Sequence, residues 1–305
     1  MRSLKLVLGL VLPLCAAAQT PEPVAADDAK LEALILDPDV AEISGMTRSR
    51  RHDGTFWAVN DSHNPNRIYA VSTNGRVRAA YAVDGVPNTD WEDLTAYEDD
   101  GKAYLVIADT GDNGGLRKYI ELIGIEEPLA ENGTFDGRVT PAWRMRIRWP
   151  DGPRDCEAVA IDPARGEVLL LSKKRVPPQL FRVPLEPTTG KGSHLAQQIA
   201  VVATIPQPDR HELATHPQSG RYRAHVTSMA LSPDGRTLVV LTYRDAYRYD
   251  RADGESWADA VRRDPKALGM PPLIQAESVT FAPDGDAVYV TSEKLPAPLV
   301  RIELR

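Results

Sequence analysis

Five segments of this chain share one strand pattern and place an acidic or hydroxyl residue at the same position in it. In chain order these residues are Ser44, Glu92, Glu157, Thr227 and Glu277. They are separated by 48, 65, 70 and 50 residues. A near-regular series with one such position per unit predicts a structural repeat that closes into a ring.

Each unit continues with a turn and a second strand. The turns of the last two units are Ser232-Pro233-Asp234-Gly235 and Ala282-Pro283-Asp284-Gly285, in which proline presets φ and glycine tolerates a positive φ. Periods near 40 to 50 residues built from short strands are typical of propeller blades. We therefore predict an all-β fold, a five-bladed β-propeller, with six blades as the alternative if a long interval contains a degenerate blade.

Two further elements complete the predicted domain. The segment from Leu31 to Leu36, ahead of the first unit, is predicted to supply the outer strand of the last blade and close the ring. Closure removes the exposed sheet edges that would otherwise invite aggregation. The segment from Ser256 to Arg263 is predicted to form a short surface helix.

The N-terminus has the features of a secretion signal. Arg2 and Lys5 precede an apolar stretch from Leu6 to Cys15 that is too short to span a bilayer, and Ala16-Ala17-Ala18 offers a cleavage site. We expect a signal peptide over residues 1–18, a disordered lead-in over 19–30 and a single propeller domain over 31–305. The protein is expected to be exported, to the periplasm or beyond the cell. A lipoprotein signal at Cys15 is the alternative.

Charge and cysteine content narrow the function classes. The net charge of -7 argues against nucleic acid as a partner and suits a protein that attracts cations. No later run is apolar enough to form a transmembrane segment. Removal of the signal leaves only Cys156, so no internal disulfide is expected, and this thiol is expected to be buried at a strand start rather than nucleophilic.

The ring position predicts a metal site. In a propeller the first strand of each blade lines the central channel, so the residues that begin these strands meet at one mouth. Carboxylates that converge there repel unless their pKa values rise or a cation neutralises them. Oxygen donors without a His or Cys cluster favour Ca2+ over zinc. The predicted Ca2+ ligands are Ser44, Glu92, Glu157, Thr227 and Glu277. Simple hydrogen bonding to neighbouring blades, or a purely structural ion, is the alternative.

The loops after each second strand fall on the same face and carry the other candidates. Basic side chains predicted to bind a phosphate or carboxylate are Lys173, Lys174, Arg175, Arg244 and Lys294. Asp61 and Asp109 are predicted to position a water for attack or to hold a second ion. Trp91, beside the ring, is the candidate for stacking on a base or sugar, with core packing as the alternative.

These motifs resemble those of the calcium-activated nucleotidase (apyrase) family. The matching segments are Ala41-Glu42-Ile43-Ser44, Trp91-Glu92-Asp93-Leu94, Glu157-Ala158, Val226-Thr227-Ser228, Ala276-Glu277-Ser278 and the basic run Lys173 to Arg175. The resemblance implies a secreted five-bladed propeller with a central calcium that hydrolyses nucleoside di- and triphosphates. Thr227 stands where the family has a serine, and the nucleotide-binding loops do not match clearly. Secreted phytase-like and lactonase-like propellers, which also use calcium at the channel mouth, are similar more loosely.

The sequence therefore predicts a calcium-binding propeller that hydrolyses a phosphorylated small molecule, a nucleotide or phosphate ester, at the channel mouth. Its expected partner is a small anionic substrate. One alternative is a non-catalytic propeller that binds a ligand or protein and carries a structural calcium. The other is a calcium-dependent ester or lactone hydrolase, which would depend less on the basic residues.

Overall fold

The computed structural model describes residues 28–129, 134–135, 137–187 and 192–304. The predicted signal peptide and most of the predicted lead-in lie outside these described residues. Strands dominate the described residues, and the prediction of an all-β fold is confirmed.

The described residues of the first half include a 3-10 turn at Pro38–Val40 and ten strands. They are β1 (Ala29–Ile35), β2 (Ile43–Arg48), β3 (Thr55–Asn60), β4 (Arg67–Ser72), β5 (Val77–Val83), β6 (Trp91–Asp99), β7 (Lys102–Asp109), β8 (Ile120–Glu126), β9 (Gly137–Val139) and β10 (Trp143–Arg148).

The second half contains the remaining strands, two short α-helices and a 3-10 turn at Gly220–Tyr222. They are β11 (Cys156–Asp162), β12 (Glu167–Ser172), β13 (Gln179–Pro184), β14 (Ser193–Leu195), β15 (Gln197–Val201), α1 (Arg210–Thr215), β16 (Val226–Leu231), β17 (Thr237–Thr242), β18 (Ala246–Asp250), α2 (Trp257–Ala260), β19 (Lys266–Leu268), β20 (Ala276–Phe281), β21 (Ala287–Ser292) and β22 (Ala297–Glu303).

These strands form five sheets, which are the blades of a five-bladed propeller. From the channel outward the blades are β2-β3-β4-β5, β6-β7-β8-β10, β11-β12-β13-β15, β16-β17-β18-β19 and β20-β21-β22-β1. The innermost strands β2, β6, β11, β16 and β20 contact one another around the channel. The predicted blade starts are therefore the inner strands of the structure.

Two extra strands explain the long sequence intervals. In the sequence, strand β9 lies between β8 and β10 of the second blade, but it pairs in parallel with β5 of the first blade. Likewise, strand β14 lies between β13 and β15 of the third blade in the sequence, but it pairs in parallel with β10 of the second blade. Each long interval thus lends a strand to the preceding blade rather than containing a degenerate blade, so the six-blade alternative is wrong.

The ring closes as predicted, through an N-terminal strand. Strand β1 pairs antiparallel with β22, from Ala29 opposite Ile302 to Ile35 opposite Ala297. The strand begins at Ala29, slightly earlier than the expected Leu31. The predicted helix near Ser256 is present as α2, whereas α1, whose first turn is capped by the Asp209 side chain, was not predicted. Neither of these described helices is long and apolar enough to cross a bilayer.

The core is divided among the junctions between neighbouring blades. At each junction, side chains from facing sheets form one cluster. Aromatic pairs reinforce two of these junctions, with ring centroids of Trp149 and Phe181 5.0 Å apart and those of Phe56 and Tyr289 4.9 Å apart. Such pairs add about 1 kcal/mol beyond the area that they bury. Burial at these junctions therefore holds the blades side by side.

Polar side chains connect the blades inside the channel itself. The fully buried carboxylate of Asp93, on β6, accepts hydrogen bonds from Val159 N at 2.9 Å and from Ser228 Oγ at 3.2 Å. Ser228 Oγ in turn accepts from Val279 N at 3.3 Å. A further serine on β20, Ser278, accepts from Met46 N at 2.6 Å. These bonds join side chains and amides from every inner strand at the level of Asp93.

Gly45, on β2, is required by this close packing. A Cβ on Gly45 would lie 2.4 Å from Leu94 N and 2.5 Å from the carbonyl carbon of Asp93. Both atoms belong to the backbone of the next blade, so the inner strands would have to move apart. We expect Gly45→Ala to lower the free energy of unfolding by about 3 kcal/mol, as measured by urea titration.

Gly192→Ala is the matched control, because a Cβ there has no atom within 4 Å. Its stability should stay within about 0.5 kcal/mol of the wild type, as for an ordinary surface change. Equal stability of the Gly45 and Gly192 variants would contradict this account of the channel.

Candidate functional site

The five positions singled out in the sequence share one backbone feature. In every blade the pairing of the first two strands slips by one residue, and the unpaired residue is the predicted ring residue. A β-bulge re-aims the side chain of its extra residue and is frequent beside active sites. We call these residues the bulge positions: Ser44, Glu92, Glu157, Thr227 and Glu277. The repeat seen in the sequence is thus a repeat of bulges.

Two further sets of five follow from the same geometry. The pre-bulge positions, two residues earlier, are Glu42, Asp90, Asp155, His225 and Gln275. The loop positions are Asp61, Gly111, Lys173, Tyr243 and Glu293. In each blade the amide of the loop position donates to the carbonyl of the pre-bulge position, at 3.0 to 3.2 Å. This repeated bond brings the loop after the second strand against the start of the first strand.

The three sets enclose a cavity of about 170 Å³ at the mouth of the channel. Its lining includes Ser44, Glu92, Glu157 and Glu277 from the bulge positions, together with Glu42, Ile43, Asp61, Asn113, Lys173, Tyr243, Gln275 and Glu293. The donors that face this space are mainly oxygen atoms. Thr227, although predicted as a ligand, is completely buried and does not line the cavity.

Hydroxyl groups from one blade hold the glutamates of the next. In three junctions a side-chain hydroxyl donates to the carbonyl that precedes a bulge glutamate. The pairs are Ser44 Oγ with Trp91 O at 2.7 Å, Thr110 Oγ1 with Cys156 O at 2.6 Å and Thr227 Oγ1 with Ala276 O at 2.7 Å. A hydroxyl that donates its only proton keeps lone pairs for a cation. Ser44, which lines the cavity, therefore remains a candidate ligand. Thr227 instead positions the backbone before Glu277. Thr110, which does the same before Glu157, was not identified in the sequence.

Burial dominates the electrostatics of the bulge glutamates. It raises the pKa of Glu157 to about 8. It also raises the pKa values of Glu92 and Glu277 well above the ordinary range, and the charge of Glu157 adds to both shifts. Carboxylates in this state either hold protons or require a cation nearby. The ring can therefore accept positive charge.

Lys173 supplies one positive charge inside the ring. Its ammonium forms an ion pair with Glu157 and donates to the Tyr243 hydroxyl at 2.8 Å. The same nitrogen lies 4.9 Å from the centroid of the Tyr243 ring. Burial acts to lower the pKa of Lys173, but the carboxylates of Glu157 and the other ring glutamates outweigh it and raise the pKa well above its usual value. Lys173 is thus a counter-ion of the ring rather than a free phosphate ligand.

Asp90 and Asp155 extend the acidic cluster and were missed in the sequence. Carboxylate oxygens of Asp61, Asp90 and Glu92 lie within 4.8 Å of one another, as do those of Glu92, Asp155 and Glu157. Burial, followed by the charges of Asp61 and Asp155, raises the pKa of Asp90 to about 6. The sequence did contain a signal for these two aspartates, since each stands two positions before a bulge glutamate in an Asp-x-Glu pattern.

The two predicted catalytic aspartates occupy different positions. Asp61 lines the cavity and belongs to the acidic cluster. Asp109 is buried, and its Oδ1 accepts from Arg117 Nη1 at 2.8 Å and from Asp90 N at 3.2 Å. Asp109 does not line the cavity. Asp61 remains a candidate to orient water, whereas Asp109 positions Asp90.

The remaining basic side chains that were predicted to bind an anion are not a free cluster. Lys174 Nζ lies 3.0 Å from Asp155 Oδ2, and Arg244 forms ion pairs with Glu212 and Asp245. Lys294 Nζ donates to Gln275 Oε1 at 2.6 Å. Arg175 lines a surface groove apart from the ring cavity. An anion would have to compete with these existing partners.

Trp91 and Cys156 belong to the core. Trp91 is 0% exposed and packs between the first two blades, so its ring is not accessible for the stacking that was expected; core packing, the alternative, describes it. Cys156 is fully buried, and burial raises the pKa of its thiol. The thiol is therefore unsuited to act as a nucleophile, as expected from the sequence.

Comparison with known proteins assigns a family. The family model described as phytase-like, "esterase-like activity of phytase", matches residues 38–273. The chain belongs to this phytase-like family. The match corresponds to the looser of the two resemblances seen in the sequence, and the resemblance to calcium-activated nucleotidases stays a prediction.

Solved structures similar to this phytase-like propeller include a nidogen–laminin complex and a luciferin-regenerating enzyme. The first is 12% identical, with 87% of this chain and 81% of that chain covered and a TM-score of 0.44. The second is 9% identical, with 89% and 95% covered and a TM-score of 0.44. No curated protein matches the chain.

Removal of the ring lysine should destabilise the metal-free protein. Lys173→Met leaves buried carboxylates without their counter-ion, which costs about 3–5 kcal/mol when a buried pair is broken. Urea unfolding in metal-free buffer at pH 8 measures the loss. Lys102→Met is the control, because Lys102 and its partner Glu126 are both at least half exposed and such a pair should contribute less than about 1 kcal/mol. Equal effects of the two variants would contradict the role of Lys173.

The metal-free protein should also lose stability as the pH rises. Asp90 and Glu157 have ordinary pKa values of 3.8 and 4.5, raised in the folded chain to about 6 and about 8. The folded chain therefore binds these protons more tightly, and that stabilisation disappears as the pH rises through the folded-state values. We expect the free energy of unfolding to fall between pH 4.5 and 8, and to fall less in Glu157→Gln. A rise over this range would refute the assignment.

Proposed function

We propose that this phytase-like propeller is a calcium-dependent ester hydrolase that acts at the mouth of the channel. The observation that carries the proposal is the convergence of buried carboxylates on one oxygen-lined cavity of about 170 Å³. The ring contains more buried carboxylates than the single ammonium of Lys173 can neutralise. A cavity with this excess of negative charge attracts a divalent cation.

The donor set fits calcium. Glu92, Glu157 and Glu277 would hold the ion, with Ser44 as a neutral oxygen donor from the first blade. Hard oxygen ligands in variable number are those that Ca2+ prefers. Thr227, which does not line the cavity, supports the carbonyl before Glu277 instead. When bound, calcium would neutralise the ring and polarise the ester oxygen.

Asp61 and Asp90 are the candidates for proton transfer. Both belong to the acidic cluster at the mouth. Asp61 lines the cavity. Asp90 does not line it, but its carboxylate lies within 4.8 Å of that of Asp61, so Asp90 would act through Asp61. The Asp109 carboxylate, which is paired with Arg117, accepts a hydrogen bond from the Asp90 amide and so fixes the backbone of Asp90. These side chains would orient a water molecule for attack on the ester.

A phosphate ester is the first candidate substrate. Phosphate oxygens are strong ligands for a hard cation, and the family description names phytase. The paired state of Lys173, Lys174 and Arg244 means that a bound cation, rather than these side chains, would supply most of the attraction.

A carboxyl ester or lactone is the second candidate. It is favoured because the basic side chains at the mouth are already paired with carboxylates. A neutral ester needs no free cationic side chains, only polarisation of its carbonyl. The family description also names esterase-like activity.

Export is part of the proposal. The predicted signal over residues 1–18 would deliver the propeller to the periplasm or the medium. Calcium available outside the cytoplasm could then load the ring.

The test combines calcium binding with ester turnover. Calcium at about 100 times its Kd should raise the Tm of the wild type by roughly 5–10 °C. Hydrolysis of 4-nitrophenyl phosphate and 4-nitrophenyl butyrate should require calcium, and the preferred ester identifies the class. Glu277→Gln should abolish the Tm shift and reduce kcat/KM by about 100-fold or more.

Glu277→Gln leaves the pair between Lys173 and Glu157 in place, so a folded variant is expected. Glu126→Gln is the control, since Glu126, at the end of β8, is half exposed and pairs with Lys102 at the start of β7. It should keep both the Tm shift and the turnover. A calcium shift without turnover of either ester would favour the non-catalytic binding propeller. Full activity in chelator would eliminate the proposal.

A further inference from the structure

A second, larger pocket of about 540 Å³ adjoins the ring cavity. Its walls come from the segment before β16, the loop after β17 and the segment before β20. Aromatic and apolar side chains in it include Tyr222, His225, Tyr243, Leu273 and Ile274. Pockets of this volume, with apolar walls and a few polar groups, are typical of small-molecule sites.

The pocket and the ring cavity share part of their lining. Asn113, Lys173, Tyr243 and Gln275 line both spaces. Tyr243 contributes its hydroxyl to Lys173 at the ring side and its ring to the wall of the pocket. A ligand held at the ring would therefore lie directly beside the pocket.

The pocket is nearly neutral despite its basic residues. Arg223 Nε lies 2.8 Å from Glu212 Oε1, and Glu212 also pairs with Arg244. Burial, together with the charges of Lys173 and Lys174, lowers the pKa of His225. A polyanion would find few unpaired charges here.

The apolar wall is open to solvent. Ile274 is 77% exposed and Tyr222 is 41% exposed. The Tyr222 and His225 rings meet edge to face, with centroids 5.4 Å apart. Single exposed apolar residues are common, but several that line one concave surface indicate a binding site. Burying this surface under an organic group would remove it from water.

We propose that this pocket binds the uncharged organic part of the substrate. The substrate class is then an ester with a single polar end and an aromatic or branched apolar group, rather than a small sugar or an inositol with many phosphates. The identity of the polar end as an ester rests on the proposed function, whereas the apolar subsite rests on the pocket itself.

The first test uses an arene alone and needs no turnover. In mildly acidic buffer, where it is uncharged, 4-nitrophenol should bind the calcium-loaded wild type, as measured by titration calorimetry, and ethanol should not compete with it. Ile274→Glu and Tyr222→Ala should each weaken binding of 4-nitrophenol by about tenfold, because each removes an apolar contact between the pocket and the arene. Both side chains are exposed, so both variants should fold.

Leu195→Glu is the matched control. Leu195 is 57% exposed on β14, at the outer edge of the second blade, and the variant should bind 4-nitrophenol like the wild type. Unchanged binding in the Ile274 and Tyr222 variants, or absence of 4-nitrophenol binding, would overturn the proposal.

The second test compares esters. If esters are hydrolysed, kcat/KM for benzyl phosphate or benzyl butyrate should exceed that for the methyl ester at least tenfold, because benzyl and methyl alcohols are similar leaving groups and differ mainly in apolar contact. Ile274→Glu should remove the difference. Arene binding without hydrolysis would support the pocket and refute the hydrolase. Hydrolysis that ignores the organic group, or prefers an inositol polyphosphate, would support the hydrolase and refute the pocket.

Discussion

Buried carboxylates at the channel mouth repel one another strongly, because little water is available to screen them. The fold places them there through the same bulge in every blade. Hydroxyls of Ser44, Thr110 and Thr227 then fix the backbone beside each glutamate from the neighbouring blade. The repulsion is therefore maintained by the rest of the propeller rather than relieved by movement, and one ammonium, that of Lys173, offsets it in part.

Asp93 shows how the same channel accommodates a carboxylate without a cation. It follows directly after the bulge glutamate Glu92 and is fully buried, yet the amides of Leu94 and Val159 and the hydroxyl of Ser228 donate to it. Burial still raises its pKa. One carboxylate can be satisfied by such donors, but the glutamates above it face an open cavity instead. The contrast separates a structural acidic residue from acidic residues arranged around a ligand.

The fold and the bulge positions could be predicted from the sequence because they depend on local signals. Turn residues, strand patterns and a glutamate at a constant offset repeat within each blade. The pairing of Lys173 with Glu157 could not be predicted, because basic residues after a strand look alike whether solvated or buried. Asp90 and Asp155 carried a local signal that was overlooked. The burial of Trp91 depends on contacts between blades, which no single repeat contains. Asp109 pairs with Arg117 of its own blade, and the loop sequence alone does not show which charges pair.

The ring cavity is charged, whereas the pocket that adjoins it is nearly neutral. The ring cavity concentrates carboxylates, whereas in the adjoining pocket Glu212 and Asp155 neutralise the cations and apolar side chains remain exposed. Lys173 and Tyr243 form the boundary, since they line both spaces and bond to each other. A cation that enters the ring must compete with the Lys173 ammonium for Glu157. Any movement of Lys173 away from Glu157 would therefore alter the wall of the pocket, which couples occupancy of the ring to the shape of the neighbouring site.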